Sequence, residues 1–319
     1  MKKEILLLRF ICMFSTAILA ESSTTGNVFF NHTTKLGDEG SNLFNMKRAY
    51  LTYAKEVSDA VSYKVTYDMG SNDGGSAHTA FLKVAMVKWK TEYGNVMIGM
   101  QGMNMFKTME NTWGHRFIDK MPMDAYGYSV AADLGVGLSR SFGPVSTSAL
   151  ITNGGGYKKA ESDKYKKISL HAVYGESKLN KKDGFNAGVS FSTEPYDVVD
   201  ANREVVSTEN TNVMGLFSGY AGKGFRGGLE YDVKTQDDVS GQIICAYGTY
   251  KLNDKLSILA RLDQVDANTS ADNDGAQAVI AGIHYAADKS LTIAPTFRMT
   301  SLEDRDAEKS IVVNFQFNF

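Results

Sequence analysis

The sequence predicts an all-β chain that closes into an antiparallel transmembrane β-barrel of about 16 strands. Three observations carry that prediction. First, from residue 24 onward short strand-forming segments recur between turn signals, at 24–33, 43–55, 61–70, 79–90, 95–103, 125–140, 144–152, 164–175, 184–193, 211–220, 225–235, 240–251, 255–264, 276–286, 290–299 and 308–319. Second, the connections alternate. Short turns such as "TEYG", "SFG" and "AGKG" take turns with mostly longer polar loops such as "SNDGGSAH", "NGGGYKKAESD", "EPYDVVDANREVVSTEN" and "DQVDANTSADNDG". Short periplasmic turns and longer extracellular loops are the habit of outer-membrane barrels, and an even strand number leaves both termini on the short-turn rim. Third, the chain ends in "SIVVNFQFNF", with Ile311, Val313, Phe315, Phe317 and Phe319 on one parity and Asn314, Gln316 and Asn318 on the other. Side chains alternate faces along a strand, so one face suits lipid and the other a wet lumen.

Taken in chain order, the first segment is "MKKEILLLRFICMFSTAILA". A charged start, an apolar run and a small-residue end are the layout of a secretory signal. Residues 1–20 are therefore expected to be removed, with cleavage after Ala17 or Ala20, and residues 21–319 to form the barrel. No small residue precedes Cys12 in the way lipoprotein processing needs, and Cys245 alone then remains, so no internal disulfide is possible.

In 61–68, Val61, Tyr63, Val65 and Tyr67 oppose Ser62, Lys64, Thr66 and Asp68. The 79–90 segment changes parity between Leu82/Val84/Met86 and Val87/Trp89, which predicts a bulge there. In 225–234, Phe225, Leu229, Tyr231 and Val233 oppose Arg226, Glu230, Asp232 and Lys234. In 255–263, Leu256, Ile258, Ala260 and Leu262 oppose Ser257, Leu259, Arg261 and Asp263. Four charges on one face of one strand are costly in a dry core and ordinary beside water. Tyr126, Tyr174 and Phe225, at strand ends, are expected in the interfacial aromatic girdles. Pro295 falls inside the fifteenth segment and predicts a second bulge, since a closed barrel offers no free edge.

Composition agrees. Gly 30, Tyr 16 and Phe 17 against Pro 4 suit strands and turns, and no apolar run approaches the ~20 residues of a membrane-crossing helix. A formal charge of −2 offers no basic surplus for nucleic acid, so that class of partner is excluded.

The longest connection, 104–124, reads "NMFKTMENTWGHRFIDKMPMD" and is the third long loop. Met, Phe and Trp disfavour bare solvent, so this loop is expected to fold inward onto the barrel wall. Lys107, Glu110, Arg116, Asp119 and Lys120 would then set the field at a constriction. The same parity argument places Arg48, Lys64, Asp68, Asp133, Arg226, Glu230, Asp232, Arg261 and Arg298 in the lumen, with Lys83, Lys234 and Asp263. The charge is mixed, and no single sign dominates.

The stretches "KRAYLTYAKEVSDAVSYKVTYD", "GMQGMNMFKTMENTW" and "VSTSALITNGGGY", with the terminal Phe319, resemble the phosphate-selective porins of the O and P type. The resemblance implies a sixteen-stranded porin of the bacterial outer membrane, usually a homotrimer, through which ions and small hydrophilic solutes diffuse passively. It also implies that the barrel-assembly machinery recognises the last strand through Phe319. Outer-membrane lipid and lipopolysaccharide would surround the wall, and no cofactor is implied. The sequence departs from the phosphate-selective members where they carry a lumen arginine ladder and a lysine cluster, so phosphate selectivity does not carry over.

Two alternatives stand beside this one. A barrel enzyme needs a Ser–His or Asp–His arrangement; of His32, His78, His115, His171 and His284, His78 and His115 fall in long loops but in no recognisable catalytic motif, and His171 is expected to face the lumen. A plugged structural or adhesion barrel would suit fewer strands. "SADNDGAQ" at 270–277 has Ser270 first and Ala281 twelfth, which fails the calcium-loop pattern, so no metal is expected. "NGGGY" at 153–157 reads as a turn.

Overall fold

A computed structural model describes residues 22–37, 40–70, 78–303 and 305–319. The expected signal segment lies outside the described residues, as does most of "SNDGGSAH". Sixteen strands follow one another: β1 (Ser22–Leu36), β2 (Asn42–Glu56), β3 (Val61–Gly70), β4 (Thr79–Thr91), β5 (Gly94–Gly102), β6 (Ala132–Phe142), β7 (Val145–Thr152) and β8 (Lys167–Gly175). The second half comprises β9 (Gly184–Val199), β10 (Val205–Gly222), β11 (Phe225–Gln236), β12 (Val239–Lys251), β13 (Leu256–Asp266), β14 (Gly275–Ala286), β15 (Leu291–Leu302) and β16 (Glu308–Asn318). Each pairs antiparallel with its neighbours in sequence, and β1 pairs with β16 to close the barrel. Two short helices, α1 (Lys107–Trp113) and α2 (Pro122–Ala125), lie in the long β5–β6 connection, called L3 below.

Closure rests on the two ends of the chain. Asn27 faces Asn318 in the β1–β16 register, and Gly26 and Phe319 exchange backbone hydrogen bonds of 2.8 and 3.1 Å. The Phe319 ring lies over Gly26, where an added Cβ would fall 2.1 Å from its Cζ. Gly26→Val is therefore expected to lower the yield of folded, heat-modifiable protein on a denaturing gel; an unchanged yield would show that the ring swings clear.

The alternation expected from the sequence holds around the wall. Leu229, Tyr231, Ile258 and Leu262 are exposed on the outside, whereas Glu230, Asp232, Arg261 and Asp263 are buried on the inside. Tyr174 and Phe225 sit exposed near the short-turn rim, as girdle residues should.

Several local expectations need correction. The 125–140 segment begins as a strand only at Ala132, and Tyr126 belongs to L3 inside the barrel, not to a girdle. The "EPYDVVDANREVVSTEN" loop is mostly strand, because β9 and β10 stay paired out to Val199 and Val205. The bulge in β4 falls at Lys83, three residues before the parity change suggested: Thr66 pairs with Val84 and Tyr67 with Leu82. A bulge not expected from the sequence occurs in β2 at Lys47, where Phe29 pairs with Arg48 and Phe30 with Met46. Pro295 produces no bulge. Its register with β14 is the same on both sides, and pairing to β14 simply lapses at Ala294 and Pro295 while that to β16 continues. A residue without an N–H thus costs the ladder locally and shifts nothing.

Candidate functional site

L3 turns into the barrel because its apolar side chains find a matching wall there. Met105, Met109, Trp113, Ile118, Met121 and Met123 are at most 1% exposed. They share one apolar cluster with lumen-face residues of β10 to β14, namely Val213, Phe217, Ile243, Cys245, Tyr247, Leu259 and Ile280. Helix α1 ends at Gly114 in the left-handed region (φ 70°), its N–H bonding the Glu110 carbonyl. Glycine suits that conformation, and a Cβ there would lie 2.7 Å from the Arg226 guanidinium and push it aside. Pro122 opens α2 at a position whose N–H has no partner to lose.

Wall side chains then clasp the loop backbone. Arg226 donates to the Trp113 carbonyl at 3.1 Å, and Tyr247 to that of Met109 at 3.2 Å. Lys47 donates to the Ile118 carbonyl at 2.7 Å, and Arg298 donates to the same carbonyl and pairs with Asp119 at 2.7 Å. Arg261 reaches the Lys120 carbonyl at 2.5 Å and holds Asp263 at 2.7 Å. The Lys47 bulge thus supplies an extra inward cation that serves as an anchor. Burial alone would raise the Asp119 carboxyl, but Arg298, Arg261 and Lys47 hold it below the usual carboxylate value.

This arrangement sorts the mixed lumen charge that parity predicted. Arg226, Arg261 and Arg298 anchor L3, and Glu230, Asp232 and Asp263 lie beneath it, at most 4% exposed. Asp133 accepts the backbone N–H groups of Leu134 and Gly154. Arg226 and Arg298 keep partial exposure, the Arg298 side chain 24%. Other charges face one another across a gap between L3 and the β2–β4 wall. On the β2–β4 wall, Asp68 pairs with Arg48 at 3.5 Å and Lys83 at 3.8 Å, with Lys64 exposed beside them. On the loop, a chain of ion pairs runs Lys107–Glu110 (2.5 Å), Glu110–Arg116 (3.5 Å), Arg116–Asp124 (3.4 Å) and Asp124–Lys120 (3.3 Å). The two sides feel one another. Burial would raise the Glu110 carboxyl, but Lys107, Arg116 and, across the gap, Lys83 hold it down.

The connection after β7, read from sequence as a plain turn, also reaches inward. Tyr157 donates a hydrogen bond to Asp68 at 2.5 Å, and the Lys83 ammonium lies 4.7 Å from the Tyr50 ring centroid and 5.4 Å from that of Tyr157. Lys158 stands over Phe81, 4.9 Å from its centroid. Burial and the neighbouring Arg48 lower its pKa. Tyr50, Asp124, Tyr157 and Lys158 were not singled out from sequence, because nothing in their local pattern says that two separate loops meet over one wall. Among the described residues, counting Arg48, Lys64, Lys83, Lys107, Arg116, Lys120 and Lys158 against Asp68, Glu110 and Asp124, the two sides of the gap carry an excess of four positive charges.

His171 Nδ1 and Ser190 Oγ are 2.9 Å apart, but Ser190 is fully buried under α1 and donates to the Met105 carbonyl, while His171 Nε2 meets Thr108 at 2.9 Å. A nucleophile without access or a free proton acceptor does no chemistry. His115 is buried on Thr249 at 2.9 Å. Among the described residues no group of three or more His, Cys, Asp or Glu is placed to hold a metal.

One feature of the covered wall is costly. Glu230 and Asp232 are buried side by side, and beyond each other neither carboxyl group has a hydrogen-bond partner. Glu230→Gln brings an amide donor beside Asp232, so it is expected to raise the unfolding temperature by the equivalent of about 1 kcal/mol. A lower unfolding temperature would show that the pair is satisfied as a unit.

The model of one protein family, described as phosphate-selective porin O and P, matches residues 28–269. No curated protein matches the chain. Among solved structures, an anion-selective porin from Comamonas acidovorans superposes with a TM-score of 0.67 at 10% identity, over 94% of this chain and 100% of that one. OmpF of Salmonella typhi in complex with daunomycin gives 0.67 at 12% identity, over 94% and 98%. OmpT of Vibrio cholerae, folded in vitro and in a trimer form, gives 0.64 at 13% identity, over 94% and 99%. At such identities these likenesses show a shared fold.

Proposed function

The chain belongs to the phosphate-selective porin O and P family, and from that premise we propose that its channel favours small anions. It is a porin of the bacterial outer membrane, a water-filled barrel through which ions and small hydrophilic solutes diffuse passively. The observation that carries the anion preference is the excess of four positive charges in the gap between L3 and the β2–β4 wall. The acids that would cancel it, Glu230, Asp232 and Asp263, are sealed under the loop. Solvated charge at a constriction biases the local concentration of ions without binding them tightly, as passive flow requires.

The constriction set is accordingly Lys107, Glu110, Arg116, Lys120 and Asp124 from L3 with Arg48, Lys64, Lys83 and Asp68 from the wall. Asp119, Arg226, Arg261 and Arg298 act as loop anchors. A homotrimer fits this reading, as does removal of residues 1–20 on export. Recognition of the Phe319 strand by the assembly machinery and a lipid and lipopolysaccharide surround for the outer face belong to the same reading. The function is that of a channel with no catalytic role.

Planar-bilayer recording of the mature protein tests the proposal. Stepwise conductance is expected, with a reversal potential under a potassium chloride gradient that favours chloride. A potential favouring potassium would overturn the anion preference. Absence of conductance from folded protein would overturn the open pore itself.

A further inference from the structure

The turn between β8 and β9, residues 176–183, is the longest on the short-turn rim, and its charged residues surround one apolar side chain. Leu179 is 3% exposed, whereas Lys178 and Asn180 on either side of it are exposed. The turn is held as a unit. Lys178 donates its backbone N–H to the Glu176 carboxylate at 3.0 Å, and Lys181 donates its own to the Lys178 carbonyl at 2.8 Å. Asn186 of β9 ties the turn to the wall by donating to the Glu176 carbonyl at 2.7 Å. Leu179 reaches Gly219, which shares the inward parity of Phe217 and Ala221 on β10. A Cβ at Gly219 would lie 3.0 Å from Leu179 Cδ1, 2.9 Å from Thr112 Cγ2 of α1 and 2.9 Å from Asn186 Oδ1. The missing side chain leaves a notch where turn, helix and wall meet.

Contact with α1 continues beyond the notch. Asn111 donates to the Ser177 carbonyl at 3.1 Å, and Asn180 Cβ stands 3.4 Å from where a Cβ on Gly114 would be. Arg226 and Tyr247 hold α1 by its carbonyls from the wall, whereas the turn reaches it from the periplasmic mouth. We propose that the β8–β9 turn is a prop for the constriction loop, with Leu179 and the Ser177 carbonyl seating α1. The width of the passage is then set from the periplasmic mouth as well as from the wall. An apolar side chain gains by leaving water, and Leu179 realises that gain where the turn, α1 and β10 meet. The turn belongs to no strand, so displacing it moves the loop and leaves the barrel closed. The inference rests on L3 forming the constriction.

Planar-bilayer traces of Leu179→Asp and Asn111→Ala test it, with Trp113→Ala and Leu252→Asp recorded in the same series. Leu252 lies in the turn after β12 on the same rim and is 52% exposed, so a carboxylate there meets water. Leu179→Asp puts a carboxylate in the notch and is expected to lose the steady open level, replaced by flicker between levels. Asn111→Ala loses one neutral hydrogen bond, so the ratio of steady to flickering time is expected to fall about fivefold. Leu252→Asp is expected to conduct like the parent. Should Leu179→Asp give no heat-modifiable band, Asn111→Ala decides alone. Steady, parent-like current from both prop variants, with flicker from Trp113→Ala, would overturn the prop and leave the L3 constriction standing. Steady current from Trp113→Ala as well would overturn both. A lower unfolding temperature without any change in current would make the turn a brace of the rim and overturn the proposal. So would equal flicker from Leu252→Asp.

Discussion

Replacing Lys64, Lys107 and Lys158 together with glutamate is expected to reverse the sign of the reversal potential, turning an anion-favouring channel into a cation-favouring one. These are the exposed cations of the gap: Lys64 on the wall, Lys158 on the inward loop after β7, and Lys107 at the start of α1 with its side chain 62% exposed. The substitution takes a local excess of four positive charges to a deficit, because each site changes by two. At about 10 Å in water a unit charge acts on a passing ion with about 0.4 kcal/mol, reduced about threefold by a Debye length of about 10 Å in 0.1 M salt. Six units of change therefore amount to about 0.9 kcal/mol, of opposite sign for the two ions, or about twentyfold in their permeability ratio. The effect should shrink at high salt. An unchanged reversal potential would mean that ions do not pass between L3 and the β2–β4 wall.

Trp113→Ala is expected to raise single-channel conductance and add current noise while leaving the barrel intact. Trp113 is 1% exposed, lies edge-on to Tyr247 and His115 at 5.7 and 5.0 Å, and has the Arg261 guanidinium 5.7 Å from its ring. Its indole donates to the Asp119 carbonyl at 3.3 Å, tying the end of α1 to the following turn. Truncating a buried Trp costs about 3–5 kcal/mol, and here that loss falls on the docking of L3, since no strand ladder includes the residue. The carbonyl clasps from Arg226, Arg261 and Arg298 remain, so a loosened loop is expected and not a lost one. Trp89→Ala, at a position 50% exposed on the outer face, is the matched control and should leave conductance alone. If Trp113→Ala conducts like the parent, the loop does not set the constriction.

The inward course of L3 was legible because Met105, Phe106, Met109 and Trp113 are poor residues for an exposed loop. The wall that receives them left a quieter signal. Val213 and Phe217 on β10, with Ile243 and Tyr247 on β12, put apolar side chains on the lumen parity, so these strands are greasy on both faces. A strand apolar on both sides of a wet barrel announces that something covers its inner face, and that sign was available in the sequence. Neither bulge had so clear a mark. A bulge moves one residue between faces, and its place depends on where the neighbouring strand pairs, as Lys83 opposite Thr66 and Tyr67 illustrates.

The sequence by itself determined the barrel: its sixteen strands, their lipid and lumen faces, the short and long rims and the closing strand. Those follow from a period of two, which each strand carries locally and which lipid and water read the same way in every strand. It could not decide which lumen charges meet a solute. Glu230 and Lys64 look alike as inward charges, yet one is sealed under L3 and the other faces the gap. That division depends on contacts between residues as far apart as Lys47 and Ile118, or Arg298 and Asp119. Only tertiary structure brings such pairs together, because burial is a property of what lies across the lumen and not of the strand that holds the charge.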